Sequence, residues 1–197
     1  FRLISLPRYL LRYYFKFYPF NLIPTQAKQY CIDIINHLNN NKNKESVAEI
    51  GCGLGDILRN INYEKKFGYD KQIEVLNALN FINKFYRKDN RIELSQLIFG
   101  KDSIEGQHDI IILVNWIHKV PTNILQKSLK ELYNKNLKIG GEIIIDSLSG
   151  DKDIYPYHHD LMNISKKLSC QMKLIGTYSM GKNFNIIRKT ASFKKLY

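Results

Sequence analysis

Acidic side chains are scarce in this chain: 18 Asp and Glu stand against 30 Lys and Arg, a formal net charge of +12 over 197 residues. Cysteine is scarce as well. Cys31, Cys52 and Cys170 form no C-x-x-C pair, which argues against a disulfide framework or a zinc site and fits a reducing cytoplasm. Long hydrophobic runs are missing: the longest uncharged apolar stretch, Ile110 to Ile117, already contains Asn115 and is too short to cross a bilayer. The first twenty residues set Arg2, Arg8, Arg12 and Lys16 among aromatics, which breaks up any continuous signal-peptide core. There is no internal repeat.

What is present is an apolar fraction of 44%, enough at this length to bury a sizeable core and to disfavour disorder. The charge is concentrated at the ends. Residues 1–45 carry seven basic and two acidic side chains, residues 46–181 eighteen and sixteen, and residues 182–197 five and none. A nearly neutral middle makes the total weak support for a nucleic-acid partner.

Ser5-Leu6-Pro7-Arg8 reads as a helix start with Ser5 as cap, and Pro19 as its end. Along that helix Arg8, Arg12 and Lys16 form a basic stripe among aromatics. A second helix is expected from about Thr25, with Ala27, Tyr30, Cys31, Ile34, Ile35 and Leu38 on one face, and the polar run Asn39 to Lys44 reads as a linker. Strands and helices then alternate, the pattern of a parallel sheet covered by helices. The expected strands are Ser46–Ile50, Lys66–Tyr69, one within 91–99, Asp109–Val114 and Glu142–Ile145. The expected helices are Asp56–Ile61, about Gln72–Phe85 with Ile73, Leu76 and Leu79 inward, and Pro121–Leu137, followed by a turn at Gly140-Gly141. Gln171–Tyr178 and Asn183–Arg188 read as a closing antiparallel pair.

Between the first strand and the helix expected at Asp56 lies Glu49-Ile50-Gly51-Cys52-Gly53-Leu54-Gly55. Glycines there let the backbone pass close beneath a ligand, with a helix amino terminus adding free N–H groups. The next strand ends at Asp70, a carboxylate able to accept two hydrogen bonds from a ribose diol. The spacing is G-x-G-x-G behind an acidic residue, not the G-x-G-x-x-G of dinucleotide sites. It resembles motif I of the class I S-adenosylmethionine-dependent methyltransferases, with Glu49, Gly51, Gly53 and Gly55 in its four positions. The resemblance runs over about residues 45–190 and takes in Asp70, the strand ending at Asn115, and the turn into the fifth strand.

The resemblance implies an α/β, Rossmann-like class I methyltransferase fold: a seven-stranded, mostly parallel sheet in the order 3-2-1-4-5-7-6 with helices on both faces. Residues 1–44 would form a helical cap and linker, and residues 45–197 the cofactor-binding domain. It implies S-adenosyl-L-methionine as cofactor and S-adenosyl-L-homocysteine as product, with the ammonium near Glu49, both ribose hydroxyls on Asp70, and Lys71 to Ile73 beside the adenine. Cys52, Asn115 and Trp116 belong to the same expected cofactor set, Trp116 standing equally well in the core. The family's acidic partner of the adenine amino group is displaced here, since Phe99-Gly100-Lys101 occupies about that place. Asp102 is the candidate, and a solvated loop aspartate is the competing reading.

Methyl transfer from a sulfonium needs alignment more than a rigid triad, and a base only where the acceptor must lose a proton. In this family the positions facing the methyl group follow the fourth strand and the fifth. The catalytic candidates are His118, Tyr157, His158 and His159. For His118 the alternative is packing, and for the others it is a solvated loop with Asp160 capping the next helix. No N-P-P-Y-like run follows the fourth strand, no Pro-Cys pair offers a cytosine nucleophile, and the fifth strand ends Asp146-Ser147 instead of in a paired Asp-Asn. No metal is therefore expected.

The leading reading is a metal-independent methyltransferase acting at an oxygen of a small or medium acceptor, anionic or sugar-like. Tyr13, Tyr14, Phe17, Tyr18 and Phe20 would then line the acceptor site, and Arg8, Arg12 and Lys16 would meet its charge. An RNA methyltransferase is the second reading, motivated by the +12 and the 13 tyrosines. A non-catalytic module held at a membrane surface through residues 1–20 is the third. The compartment expected is the cytoplasm, with the membrane surface as its periphery.

Overall fold

Buried β-branched runs set the strands. In the computed structural model, which describes residues 2–42, 45–85, 91–150, 152–181 and 185–197, Ile110, Ile111, Ile112 and Leu113 are all fully buried, as a strand covered on both faces requires. The chain divides into two units, residues 1–98 and 99–197. Seven strands form one sheet in the order β3-β2-β1-β4-β5-β7-β6, the order expected from the sequence.

The first unit contains α1 (Arg2–Phe15), α2 (Gln29–Asn39), β1 (Ser46–Ile50), β2 (Lys65–Asp70), α3 (Ile73–Asn83) and β3 (Ile92–Gln96). β1 and β3 flank β2 in parallel, with Ile50 opposite Tyr69 and Asp70 opposite Gln96. α1 begins upstream of Ser5 and so carries Pro7 inside it. It ends at Phe15, because Lys16 turns left-handed at φ 60° while its N–H bonds to the Arg12 carbonyl, four residues before the expected stop at Pro19. Thr25 heads a separate 3-10 turn, and α2 starts at Gln29, burying Tyr30, Cys31, Ile34 and Leu38. Of the linker, Asn43 and Lys44 lie outside the described residues. Ile73 is 45% exposed at the first turn of α3, not inward with Leu76 and Leu79.

The helix expected at 56–61 is only a 3-10 turn, Leu58–Asn60. Nine residues separate Gly55 from β2, too few for a helix of useful length and a return to the sheet. Lys66 closes that turn: its side chain is buried, and Nζ donates to the carbonyls of Leu58 (3.2 Å) and Ile61 (3.0 Å). Burial lowers its pKa.

The second unit contains β4 (His108–Leu113), α4 (Thr122–Glu131), β5 (Leu137–Ser149), α5 (Leu161–Leu168), β6 (Gln171–Met180) and β7 (Ile186–Lys194). β4 and β5 are parallel, and β7 runs antiparallel between β5 and β6. Gly140-Gly141 is a bulge inside β5 and not a turn before it: Leu137 faces His108 and Glu142 faces Ile110, with Gly140 at φ 78°. Gly140 N–H bonds to the Lys195 carbonyl and Lys195 N–H to the Gly141 carbonyl, each at 2.9 Å, so the bulge is tied to β7.

β7 lies further along the chain than expected. Asn183 and Phe184 fall outside the described residues, and the strand runs on past Arg188 to Lys194. Thr190, Ala191, Ser192 and Phe193 are buried; small polar residues disguise a central strand whose neighbours cover both edges. Lys194 pairs with Glu142 at the start of β5, and Lys195 Nζ donates to the carbonyls of Tyr133 and Leu137 at 2.7 and 2.9 Å. Among the described residues no helix is long and apolar enough to cross a membrane.

Candidate functional site

The glycine loop leaves β1 and is fastened to the end of β2: the N–H groups of Gly51 and Cys52 both donate to the Tyr69 carbonyl, at 2.7 and 2.9 Å. Gly51, Gly53 and Gly55 all have left-handed φ angles, 77°, 55° and 68°, which only glycine adopts without strain. At Gly53 the space is also closed, since a Cβ would stand 2.5 Å from Asn21 Oδ1. Asp70 accepts from Gly53 N–H on one oxygen (3.1 Å) and from Gln72 N–H on the other (2.9 Å). A carboxylate has about four lone-pair sites, so two remain for a diol. Burial raises the Asp70 pKa against the pull of those two N–H donors. Lys71 is exposed next to it, with the exposed Ile73 beyond.

Glu49 lies beneath the loop, 5% exposed. Its Oε2 is buried with no hydrogen-bond partner. Burial, with the Asp56 carboxylate nearby, pushes its pKa well above the usual carboxylate range, opposed by the Leu58 N–H and by Lys28. Cys52 is a packing thiol: it is 4% exposed, its Sγ touches the space a Gly68 side chain would need, and burial raises its pKa.

Asp56, expected to open a helix, instead gathers three cations: Arg8 at 2.7 Å, Lys28 at 2.9 Å and Arg59 at 3.2 Å. Burial would raise its pKa, yet Lys28 and Arg8 outweigh that and hold it at about 2. Arg8 also donates to the carbonyls of Asn21 (3.0 Å) and Ile23 (3.1 Å), and Arg12 Nε to that of Phe17 (3.2 Å). The basic stripe therefore splits: Arg8 is a clasp on the glycine loop, not a cation held ready for an acceptor. The aromatic set splits too. Phe17 is buried with Leu54, Val75 and Ala78, whereas Tyr13 and Tyr14 are 86% and 79% exposed.

In the second unit β5, β7 and the turn after β4 meet around a buried ion pair that sequence reasoning missed. Asp146, fully buried, is 2.6 Å from the guanidinium of Arg188, itself 3% exposed. Asn115 completes the group: its N–H donates to both Asp146 oxygens at 3.0 Å, and its Oδ1 accepts from Arg188 at 2.9 Å. Asn115 has φ 74°, a strained turn for a non-glycine residue held by these three bonds. Burial raises the Asp146 pKa, opposed by Arg188 and the Asn115 N–H. The one available signal was Asp146 directly after the apolar run Ile143-Ile144-Ile145.

His118 and His159 are 5% and 1% exposed, and Nδ1 of each is buried without a partner. His159 Nε2 lies 2.9 Å from the Ile117 carbonyl, so it carries the proton and Nδ1 is left as an acceptor. Burial, reinforced by the charges of Arg188 and Lys119, pushes the His118 pKa down to about 4, and burial lowers that of His159. Tyr155 stands edge-on to His118, and Tyr157 stacks over His159. His158 is exposed, its Nδ1 2.9 Å from the Leu148 carbonyl. Asp160 caps α5, accepting from the N–H groups of Met162 and Asn163. Trp116 packs edge-on against Phe99, with 4.9 Å between ring centroids, and Asp102 is exposed in the loop that follows.

No protein-family model matches this sequence, and no curated protein matches it. Solved structures do. The N-methyltransferase NodS from Bradyrhizobium japonicum WM9, in complex with S-adenosyl-L-homocysteine, superposes with a TM-score of 0.71 at 11% identity over 87% of this chain and 88% of its own. The magnesium protoporphyrin IX methyltransferase from Synechocystis PCC 6803, with bound S-adenosylhomocysteine, gives 0.67 at 13% identity over 85% and 82%. Phosphoethanolamine N-methyltransferase 2 from Haemonchus contortus, in complex with S-adenosyl-L-methionine, gives 0.69 at 14% identity over 90% of this chain and 54% of its own. The chain has the class I methyltransferase fold.

Proposed function

We propose that this chain is an S-adenosyl-L-methionine-dependent methyltransferase in which residues 1–44 cap a cofactor-binding domain spanning 45–197. The observation that carries the reading is the Glu49 oxygen, buried beneath the glycine loop and left without a partner. A carboxylate kept dry at the cost of its own ionisation suits a cationic ligand group. Asp70 supplies the second anchor, with two lone-pair sites open beyond the Gly53 and Gln72 N–H groups. The missing helix supports the same choice of ligand. A dinucleotide would place its pyrophosphate on a helix amino terminus, and this loop runs into a three-residue 3-10 turn. An ammonium facing Glu49 and a ribose diol on Asp70 bring no pyrophosphate and need no such site.

Bound there, the cofactor supplies a methyl group on a sulfonium centre, open to direct displacement without a metal. Gly51, Gly53 and Gly55 give the close approach, and Lys71 and Ile73 border the adenine. On the acceptor side His118 and His159 are the bases of choice. Both are neutral at pH 7, and His159, its proton held on Nε2 by the Ile117 carbonyl, keeps an unshared Nδ1 lone pair, which suits deprotonation of a hydroxyl in a small or medium acceptor. Tyr157 and His158 flank them as groups that orient that hydroxyl.

Calorimetric titration of the full chain with S-adenosyl-L-homocysteine and, separately, with NAD tests the cofactor assignment. Saturable binding of the first and none of the second is expected. Binding of NAD alone, or of neither, would overturn the proposal.

A further inference from the structure

α1 is apolar on two opposite faces. Its inner face, Leu11 and Phe15, packs on the cluster around Phe17 and Leu54. Its outer face shows Tyr9, Leu10, Tyr13 and Tyr14 to solvent at 54%, 63%, 86% and 79% exposure. A surface helix ordinarily turns charge outward, and contiguous apolar exposure of this kind marks an interaction site.

The charge on α1 is all of one sign. No acidic side chain occurs before Asp33, and Arg12 and Lys16 are exposed at the rim of the outer face. We propose that the outer face of α1 docks on an anionic lipid bilayer, with Leu10, Tyr13 and Tyr14 entering the headgroup boundary. Tyrosine suits that boundary, with an apolar ring and a hydroxyl that stays hydrated. A helix of 14 residues is about 21 Å long, too short to span the bilayer and long enough to lie along it. A second copy of the chain fits less well, because a two-fold contact on this face would bring one cationic rim against another. The inference is independent of methyl transfer and stands or falls without it.

Co-sedimentation of the full chain with vesicles tests it. Binding to vesicles of phosphatidylcholine mixed with phosphatidylglycerol, weak binding to phosphatidylcholine alone, and loss of binding as salt rises are expected. Leu10→Ser/Tyr13→Ser should weaken binding more than tenfold, with an unchanged circular-dichroism spectrum and thermal midpoint showing that the fold is intact. Lys16→Gln should weaken it roughly fivefold, the effect of one cation near an anionic surface. Absence of binding to the mixed vesicles at low salt, or equal binding to both kinds, would overturn the proposal. So would a dimer in solution that the Leu10/Tyr13 variant dissociates, which would give the face to a second copy.

Discussion

Replacing Glu49 by Gln should move stability and cofactor affinity in opposite directions. Glu49 is 5% exposed with one oxygen unpartnered, and its pKa is raised well above 4.5, by burial first and then by Asp56. Without ligand the folded chain therefore holds a proton that the unfolded chain has lost, between about pH 4.3 and the raised folded value. Folding stability drops as pH rises through that window. Gln has the shape of the protonated acid and no such titration, so the variant should match the parent near pH 4. It should exceed it increasingly toward pH 8, where the parent must either hold that proton or bury a charge.

Binding should show the reverse sign. Losing a hydrogen bond to a charged partner costs about 1.5–3 kcal/mol, so affinity for S-adenosyl-L-homocysteine should fall roughly 10- to 150-fold. Denaturant melts across that pH range give the first quantity and calorimetry the second. Titration in buffers of differing ionisation heat should also show a proton released on binding to the parent and none to the variant. A variant that is less stable near pH 8, or one that binds the cofactor as tightly as the parent, would refute the reasoning.

The buried ion pair of the second unit gives a large effect of another kind. Arg188→Met leaves Asp146 buried without its cation and should cost about 3–5 kcal/mol, with Asp146→Leu/Arg188→Met recovering most of it; equal losses in both variants would contradict that account. In the first unit Asp56, held at about 2 by Lys28 and Arg8, stabilises the fold by about 2 kcal/mol above pH 4. That contribution disappears as pH falls through about 2, and Asp56→Asn should flatten this part of the acid-denaturation curve.

Strands built from β-branched runs were legible because burial on both faces leaves a continuous apolar signature. Ser46–Ile50 and the run ending at Leu113 needed no partner to be recognised. The glycine loop was equally plain, since three left-handed positions demand glycine at fixed spacing. The helix expected at Asp56 failed on length. The apolar pattern of Ile57, Leu58 and Ile61 serves burial under a short turn just as well as a helix face. β7 was displaced because Thr190 and Ser192, buried in a central strand, look like surface residues in sequence. Arg8 with Asp56 lies 48 positions apart, and Asp146 with Arg188 lies 42 apart. Pairings of that kind depend on the sheet order and leave no local trace. The fold was thus readable from local physics, and of the candidate site the main-chain half was readable while the charge pairs were not.

Several of the cations behind the +12 do not face solvent. Lys66 spends its charge on two carbonyls of a turn, Arg188 on Asp146 and Asn115, and Lys195 on the carbonyls beside Tyr133 and Leu137. A polyanion gains affinity from a basic protein by shedding condensed counterions, one for each cation that reaches a phosphate. Cations tied in this way to the protein's own oxygens reach none. The dependence of any RNA association on the logarithm of salt concentration should accordingly be shallower than the sequence total suggests, and these internal cations would drop out of its slope.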